Sequence, residues 1–220
     1  MTALFLGFYR NQWNVVREKK FKEFQLDSES LVIARLVESQ QSGLLSHNAL
    51  LGWGDANPLD LNQSDYDHQY KTFLSGGAFS TYSLYKSASG AQALIFGVLR
   101  QLSPFEPGID LRNFRALVAA LLATTIGGLI AWVYREFGWF TALTLLLSTI
   151  VSQWITLFGR NLFYCIWASF LPLTLSAWYL HLSAGRGRSF GRNLGWIVSG
   201  AILFKCLTNG YDFIIPALAM

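Results

Sequence analysis

Three apolar stretches of bilayer length occupy most of the second half of this 220-residue chain. They run over residues 113–134, 138–158 and 161–181, with only short polar breaks between them. A helix needs roughly 20 apolar residues to cross the ~30 Å hydrocarbon core of a membrane, and each stretch meets that length. A fourth apolar segment, residues 194–208, is followed by Gly210, which is expected to break or bend it. The pattern therefore predicts an all-α protein that crosses a membrane several times.

The composition favours a membrane protein over a soluble domain. Hydrophobic residues make up 52% of the chain and charged residues 14%, whereas a soluble domain carries about 25% charged residues. Trp and Tyr prefer the membrane interface, and several lie near the ends of the apolar stretches: Trp132, Tyr134, Trp139, Trp154, Trp178 and Tyr179. The net charge of +4 is dispersed, which argues against nucleic acid and for membrane lipids as partners. Cys165 and Cys206 lack disulfide or zinc spacing and are expected to be packing residues.

The polar and apolar halves of the chain suggest a division into three parts. We expect residues 1–16 to be a first crossing cut short, residues 17–112 an extracytoplasmic loop with juxtamembrane helices, and residues 113–220 a transmembrane bundle. Arg186, Arg188 and Arg192 follow the third apolar stretch with no acid among them. Because loops rich in Lys and Arg stay in the cytoplasm, counting crossings back from this loop places residues 17–112 outside. The chain is expected to be a fragment of a longer polytopic protein.

Two helices and one irregular loop are predicted inside the polar part. Residues 30–41 read as a short amphipathic helix with an apolar stripe at Ile33, Leu36 and Val37, and with Arg35, Glu38 and Ser39 on the other side. Asp27 or Ser28 is expected to cap its start and Gly43 to end it. Residues 52–69 combine Gly, Asn, Pro and Asp without periodicity, which predicts a loop. Residues 91–102 form an apolar helix too short to span, expected at the interface or against the bundle.

An acidic pair directly before the amphipathic helix is the first candidate for chemistry. Asp27 and Glu29 would have helix-dipole support for their ionised state at a helix N-terminus. An ionised carboxylate that faces a cavity can accept a proton from an incoming hydroxyl or amine. Capping of the helix is the alternative role for the same residues.

Basic residues near the ends of the apolar stretches are candidates for phosphate contacts. Arg grips phosphate with a planar fork of donors, and Arg160 lies at a turn between two stretches. The other candidates are Lys86, Arg112, Arg115 and Lys205. Lys205 lies deep in an apolar run, where an ionisable side chain usually faces a cavity. For Arg160 and Lys205 the alternative is a side chain that snorkels to the interface.

Two further clusters are candidates for a metal site and a sugar site. Asp55, Asp60, Asp65, Asp67 and His68 could bind a divalent cation, although their spacing matches no calcium loop and a solvated loop is the alternative. Aromatic rings stack on sugar faces, so a sugar or acceptor groove could be formed by Tyr82, Tyr85, Lys86 and Gln92. An interfacial belt of Tyr is the alternative there.

Several segments resemble, in order and pattern, the GT-C superfamily of membrane glycosyltransferases. The acidic pair and following helix, DSESLVIARLVESQQSGLL, are similar to the first outer loop of that superfamily. Later segments resemble its juxtamembrane helix, YKSASGAQALIFGVLRQL, its Arg-led second helix, NFRALVAALLATTIGGLIAWVYREFGW, and its Arg-containing outer turn, LFGRNLFYCIWASFLP. Together they cover most of residues 24–182.

The resemblance implies a bacterial inner-membrane enzyme that moves a sugar from a polyprenyl-phosphate donor to an acceptor at the outer face. Asp27 or Glu29 would be the catalytic carboxylate, and Arg160, with Arg115 or Lys205, would neutralise the lipid phosphate. The family often has a second acid where this chain has Asn161, so metal use stays open. The alternative is a non-catalytic carrier of lipid-linked saccharides or an accessory membrane subunit.

Overall fold

The computed structural model describes residues 1–45, 50–53, 63–84, 90–183 and 190–209. These residues are mostly helical, which confirms the all-α class. The helices are α1 (Thr2–Arg10), α2 (Glu18–Ser42), α3 (Gln63–Ser75), α4 (Ala91–Leu102), α5 (Pro107–Val151), α6 (Gln153–Phe158), α7 (Trp167–Ser183) and α8 (Phe190–Asn209). Two short strands, β1 (Leu50–Trp53) and β2 (Thr81–Leu84), pair in an antiparallel two-stranded sheet, with α3 in the connection between them.

Helix α2 begins earlier than predicted. It starts at Glu18, so Asp27 and Ser28 lie inside the helix and neither caps it, whereas its end before Gly43 is confirmed. The residues before Asp27 contain no Gly or Pro and are rich in Glu and Lys, which are good helix formers. Two ion pairs at i,i+4 spacing, Lys19–Glu23 and Lys22–Glu18, support this first part of the helix.

The centre of α2 is buried on all sides, because α3, α4 and β1 pack around it. Residues 28–39 are all buried. The predicted burial of Ile33 and Leu36 is confirmed, but the predicted exposure of Arg35 and Glu38 is wrong, since both are buried too. An amphipathic pattern assumes one solvent-facing side, and α2 has none along this length.

The predicted loop over residues 52–69 is wrong at both ends. Gly52 lies in β1 and residues 63–69 begin α3, while residues 54–62 lie outside the described residues. A Cβ added to Gly52 would lie 2.2 Å from the Phe79 ring, so only Gly allows this ring to pack on β1. Phe79 is in turn part of the apolar core around α2.

The first apolar stretch and residues 139–151 of the second form two arms of α5, and the chain reverses at Gly138. This residue has φ 84° and ψ 176° inside an otherwise helical segment. The rest of the second stretch is a separate helix, α6, after a break at Ser152, so the prediction of one continuous helix over residues 138–158 is wrong. The second arm packs back onto the first, because Leu146 and Ile150 join the apolar cluster that contains Ala123 and Ile126. The predicted break between the two stretches is therefore confirmed. Helix α1 packs against the two arms of α5.

The several membrane crossings stay a prediction. Within the described residues, α5 is the one helix long and apolar enough to cross a membrane by length and composition. The third stretch is helical only from Trp167, since residues 159–166 form turns, and α7 has 17 residues. The fourth segment is helical as predicted, within α8. This helix is not apolar enough to be counted as a candidate membrane span. The short apolar helix α4 has the predicted bounds.

We expect Gly138→Ala to destabilise the protein by about 1–3 kcal/mol, because a side chain at this backbone conformation is strained. The surrounding space is open, so a loss would come from the backbone and not from a clash. Gly195→Ala in α8 is the matched control: its surroundings are also open, and Ala is the better helix former by roughly 1 kcal/mol. Equilibrium unfolding of both variants in detergent micelles measures the difference. Equal stability of the two variants would contradict the strain argument.

Candidate functional site

Glu29 lies at the centre of a buried polar cluster and is fully inaccessible to solvent. Its Oε2 accepts hydrogen bonds from Arg115 Nε at 3.0 Å and Nη2 at 2.5 Å, and from the Tyr70 hydroxyl at 2.8 Å. Its Oε1 accepts one from the backbone N–H of Leu162 at 3.2 Å. Arg115 Nε also lies 3.3 Å from Oε1, so each oxygen of Glu29 accepts at least two hydrogen bonds and the roughly four acceptor sites of a carboxylate are used.

Four parts of the fold meet at this carboxylate. Glu29 comes from α2, Tyr70 from α3, Arg115 from the first arm of α5, and Leu162 from the turn after α6. Burying a charge is strongly unfavourable unless it is paired and hydrogen-bonded, and the fork of Arg115 meets both conditions. The cluster therefore fixes α2, α3, α5 and the turn relative to one another.

Asn161 extends the cluster and is also fully buried. Its Nδ2 donates to Gln25 Oε1 at 3.0 Å and to Ser28 Oγ at 2.6 Å. Its Oδ1 accepts from the backbone N–H groups of Phe163 and Tyr164, both at 3.0 Å. The side-chain amide of Asn161 therefore stabilises the turn through its oxygen and binds the turn to α2 through its nitrogen. In this structure Asn161 is a structural residue.

Arg160 lies next to this cluster without joining the ion pair. Its Nη1 donates to the backbone carbonyl of Tyr9 at 3.1 Å, and its guanidinium lies over the Phe21 ring at 4.3 Å from the centroid. Its Nε is buried and has no hydrogen-bond partner. Burial lowers the pKa of Arg160, and the charge of Arg115 lowers it further, whereas Glu29 raises it. Arginine stays protonated in spite of such shifts.

The Tyr70 hydroxyl is held protonated by its surroundings. Burial raises the pKa of Tyr70 well above its ordinary value, and the Glu29 charge raises it further, against the opposing effect of Arg115. The protonated hydroxyl can donate to Glu29 and also accept from Arg115 Nη2 at 3.2 Å. Sequence reasoning did not single out Tyr70, because its contact with Glu29 joins positions 41 residues apart.

The predicted catalytic and phosphate-binding residues separate into different places. Glu29 accepts hydrogen bonds from the Nε and Nη2 of Arg115, so a phosphate contact of Arg115 would compete with this ion pair and stays a prediction. The backbone of Asp27 belongs to α2, and its side chain lies outside the described residues. Lys205 is fully buried in α8 and does not reach the surface, so snorkelling is wrong for it.

The predicted sugar groove is only partly described. Tyr85 and Lys86 lie outside the described residues. Gln92 is buried, and its Nε2 donates to the Phe163 carbonyl at 3.0 Å, so it supports the turn after α6. Tyr82 lies on β2 with its ring against Phe79. Burial raises the pKa of Tyr82, and the nearby Glu38 adds to this.

Most of the predicted acidic cluster lies outside the described residues, so a metal site in it stays a prediction. Among the described residues, no three His, Cys, Asp or Glu side chains come together. Asp55 and Asp60 lie outside the described residues, as does the side chain of Asp65. Asp67 and His68 are exposed on α3, and the His68 ring packs edge-on against Phe79 at 5.9 Å.

Glu29 lines neither of two cavities that lie between helices of the described residues. An apolar cleft of about 550 Å³ lies between α1 and the arms of α5. A cavity of about 40 Å³ lies between α4, α5, α7 and α8 and includes Cys165 and Gln92.

No family model matches the chain, and comparisons with curated proteins and with solved structures find no significant match.

Proposed function

We propose that this chain belongs to a membrane protein that binds the phosphate of a lipid-linked saccharide through Arg160 and does not transfer the sugar. The proposal rests mainly on one observation. Residue Arg160 is partly exposed, its Nε is buried with no partner, and it forms no ion pair with a carboxylate among the described residues. A guanidinium in this state retains donors and charge for a phosphate group.

The surroundings of Glu29 argue against this residue as a general base. A base must come within hydrogen-bond reach of the proton that it removes. Every acceptor position of Glu29 is already used by Arg115, Tyr70 and Leu162. Proton transfer to Glu29 would require the buried ion pair to open, which is costly in a low-dielectric interior. Glu29 is thus better suited to holding the turn that carries Arg160.

The outer surface of α5 supports a location in the membrane. Large apolar side chains are exposed on and beside the second arm: Phe137, Trp139, Phe140, Leu143, Leu147 and Val151. Contiguous exposed apolar surface in a folded chain marks a membrane or protein interface. The aromatic residues lie around the reversal at Gly138, where an interfacial belt would place them. A bacterial inner membrane is the location that we propose.

A GT-C-like glycosyltransferase is the second candidate. It is favoured by the way in which Glu29 and Arg115 hold the acidic segment of α2 beside the turn that carries Arg160. In this case Asp27 would be the catalytic carboxylate, Glu29 a positioning residue, and a polyprenyl-phosphate sugar the donor. A divalent cation remains part of this second proposal only.

Binding of a polyprenyl phosphate to the purified protein in nanodiscs tests the main proposal. We expect Arg160→Gln to weaken binding at least about tenfold, since a hydrogen bond to a charged group contributes about 1.5–3 kcal/mol. Lys71→Gln is the control, because Lys71 is an exposed basic residue on α3 outside every candidate site, and this change should leave binding unchanged. Arg160→Lys, which keeps the charge, should bind with intermediate affinity.

The same preparation separates the two candidates. Equal binding by wild type and a folded Arg160→Gln variant would refute the role of Arg160. Sugar transfer by the wild type that is lost in Asp27→Asn would replace the main proposal by the glycosyltransferase. Tight binding without any glycosylated product supports the non-catalytic function.

A further inference from the structure

The apolar cleft of about 550 Å³ forms a second candidate site, distant from Arg160 along α1. Met1 and Leu4 line it at the beginning of α1, whereas Arg160 contacts the carbonyl of Tyr9 at the end of the same helix. The first arm of α5 contributes Ile130 and Ala131 to the opposite wall. The second arm closes the cleft with Ala142, Leu143 and Leu146.

One end of the cleft carries a cation and aromatic rings. Arg135, Tyr134 and Trp139 line the cleft beside the reversal at Gly138, and all three are exposed. The guanidinium of Arg135 lies over the Trp178 ring at 5.6 Å from the centroid. Tyr and Trp rings at the end of an apolar groove are typical of the level of lipid headgroups.

No carboxylate among the described residues neutralises Arg135. Its Nη1 faces Nε2 of His181 at 3.3 Å, and the neighbouring Glu136 turns its carboxylate to Nδ1 of the same His181 at 2.5 Å. With Nδ1 as the donor to Glu136, Nε2 can accept from Arg135. His181 and Trp178 therefore orient the guanidinium and leave its charge available.

Further positive charge lies at this end of the molecule. The rings of Tyr179 and Phe190 stack at 5.4 Å, which places the start of α8 beside the end of α7. Arg192, in the first turn of α8, is exposed. In the described part of this end, the charged side chains are thus Arg135 and Arg192 against a single acid, Glu136. A phosphate with a negative charge fits this balance.

We propose that the cleft binds one acyl chain of an anionic phospholipid, with the lipid phosphate held at Arg135. The apolar walls match a hydrocarbon chain, and Arg135 matches the phosphate that such a chain carries at one end. The inference rests on the membrane location proposed above but does not depend on Arg160. The chemistry of the cleft recognises a glycerophospholipid of the surrounding bilayer.

Photo-crosslinking tests the proposal on the protein in nanodiscs. The probe is phosphatidylglycerol with a diazirine in one acyl chain, present as a minor component in phosphatidylcholine, and adducts are mapped by mass spectrometry. We expect adducts concentrated on the cleft residues Ala131, Leu143 and Leu146. Ala131→Phe should fill the cleft and reduce these adducts at least about tenfold. Ala120→Phe is the matched control, because Ala120 is also exposed on α5 but does not line the cleft.

A second variant separates the headgroup contact from the apolar contact. Arg135→Gln should reduce the preference for phosphatidylglycerol over a phosphatidylcholine probe by about tenfold, which corresponds to about 1.4 kcal/mol. Adducts spread equally over Leu147 and Val151 would overturn the proposal, as would equal adduct yields in the two Phe variants. Crosslinks between two copies at the cleft, without lipid adducts, would also overturn it. Loss of polyprenyl phosphate binding in Arg160→Gln with intact cleft adducts would leave this inference standing by itself.

Discussion

Glu29→Gln is expected to destabilise the folded chain by about 3–5 kcal/mol, because removing one partner of a buried ion pair leaves the other charge uncompensated. Arg115 has a side-chain exposure of 17% against 0% for Glu29, so water cannot replace the lost carboxylate effectively. The change also weakens the hydrogen bonds from Tyr70 and Leu162 that converge on the same oxygens. Equilibrium unfolding in detergent micelles measures the loss.

Two controls make this expectation specific. Glu23→Gln removes an acid from the same helix whose side chain is 40% exposed in a pair with Lys19, and it should change stability by less than about 1 kcal/mol. The double variant Glu29→Leu with Arg115→Met removes both buried charges and should be clearly more stable than Glu29→Gln alone. If Glu29→Gln unfolded at the same denaturant concentration as Glu23→Gln, the buried pair would not hold these elements together.

Asn161→Ala is expected to have the second-largest effect, a loss of at least about 2 kcal/mol. The change deprives Gln25 Oε1 of a donor and the backbone N–H groups of Phe163 and Tyr164 of their acceptor. Each buried polar group left without a partner costs about 1–3 kcal/mol. Limited proteolysis should show cleavage in the turn over residues 159–166 at lower denaturant concentration than in the wild type.

The matched control for this change is Asn113→Ala. Asn113 is exposed near the start of α5, and Ala is a better helix former than Asn, so this variant should be as stable as the wild type or slightly more so. Asn161→Asp is a second, nearly isosteric variant. It keeps an acceptor for the two N–H groups but loses the donor to Gln25 and Ser28, and it should be destabilised as well. Wild-type stability of both Asn161 variants would refute the structural role of this side chain.

The reassignment of Glu29 changes how the acidic segment of α2 should be interpreted. An acid at a helix N-terminus can cap the helix, lie in solvent or act in catalysis. Each of these roles requires that the acid lie in an exposed first turn. Helix α2 starts at Glu18, which moves Glu29 into a helix interior covered by α3 and α4. The chain has no feature near Asp27 that would stop a helix growing from Glu18, so the earlier start could have been found from the propensities of residues 18–26.

The apolar helices were the most predictable part of the fold. The bounds of α4 and the end of α2 at Gly43 follow from local signals, since hydrophobic runs and helix-ending glycines act over a few residues. Gly138, where the chain reverses within α5, is likewise a local signal, since it lies in the polar break between two apolar stretches. Residues 159–166 were predicted as part of apolar helices because most of them are apolar. They form turns instead, since Oδ1 of Asn161 accepts hydrogen bonds from the backbone N–H groups of Phe163 and Tyr164.

Short-range patterns thus sufficed for the helical class and the apolar surface of α5. The pairing of Glu29 with Arg115, 86 residues away, and of Ser28 with Asn161, 133 residues away, was decided only when the helices packed. Hydrophobic periodicity distinguishes the buried face of a helix from its solvent-facing side. It does not indicate that a helix is surrounded by other elements on every side. In α2 that enclosure buried Arg35 and Glu38, which the pattern had placed on a solvent-facing side, together with Glu29.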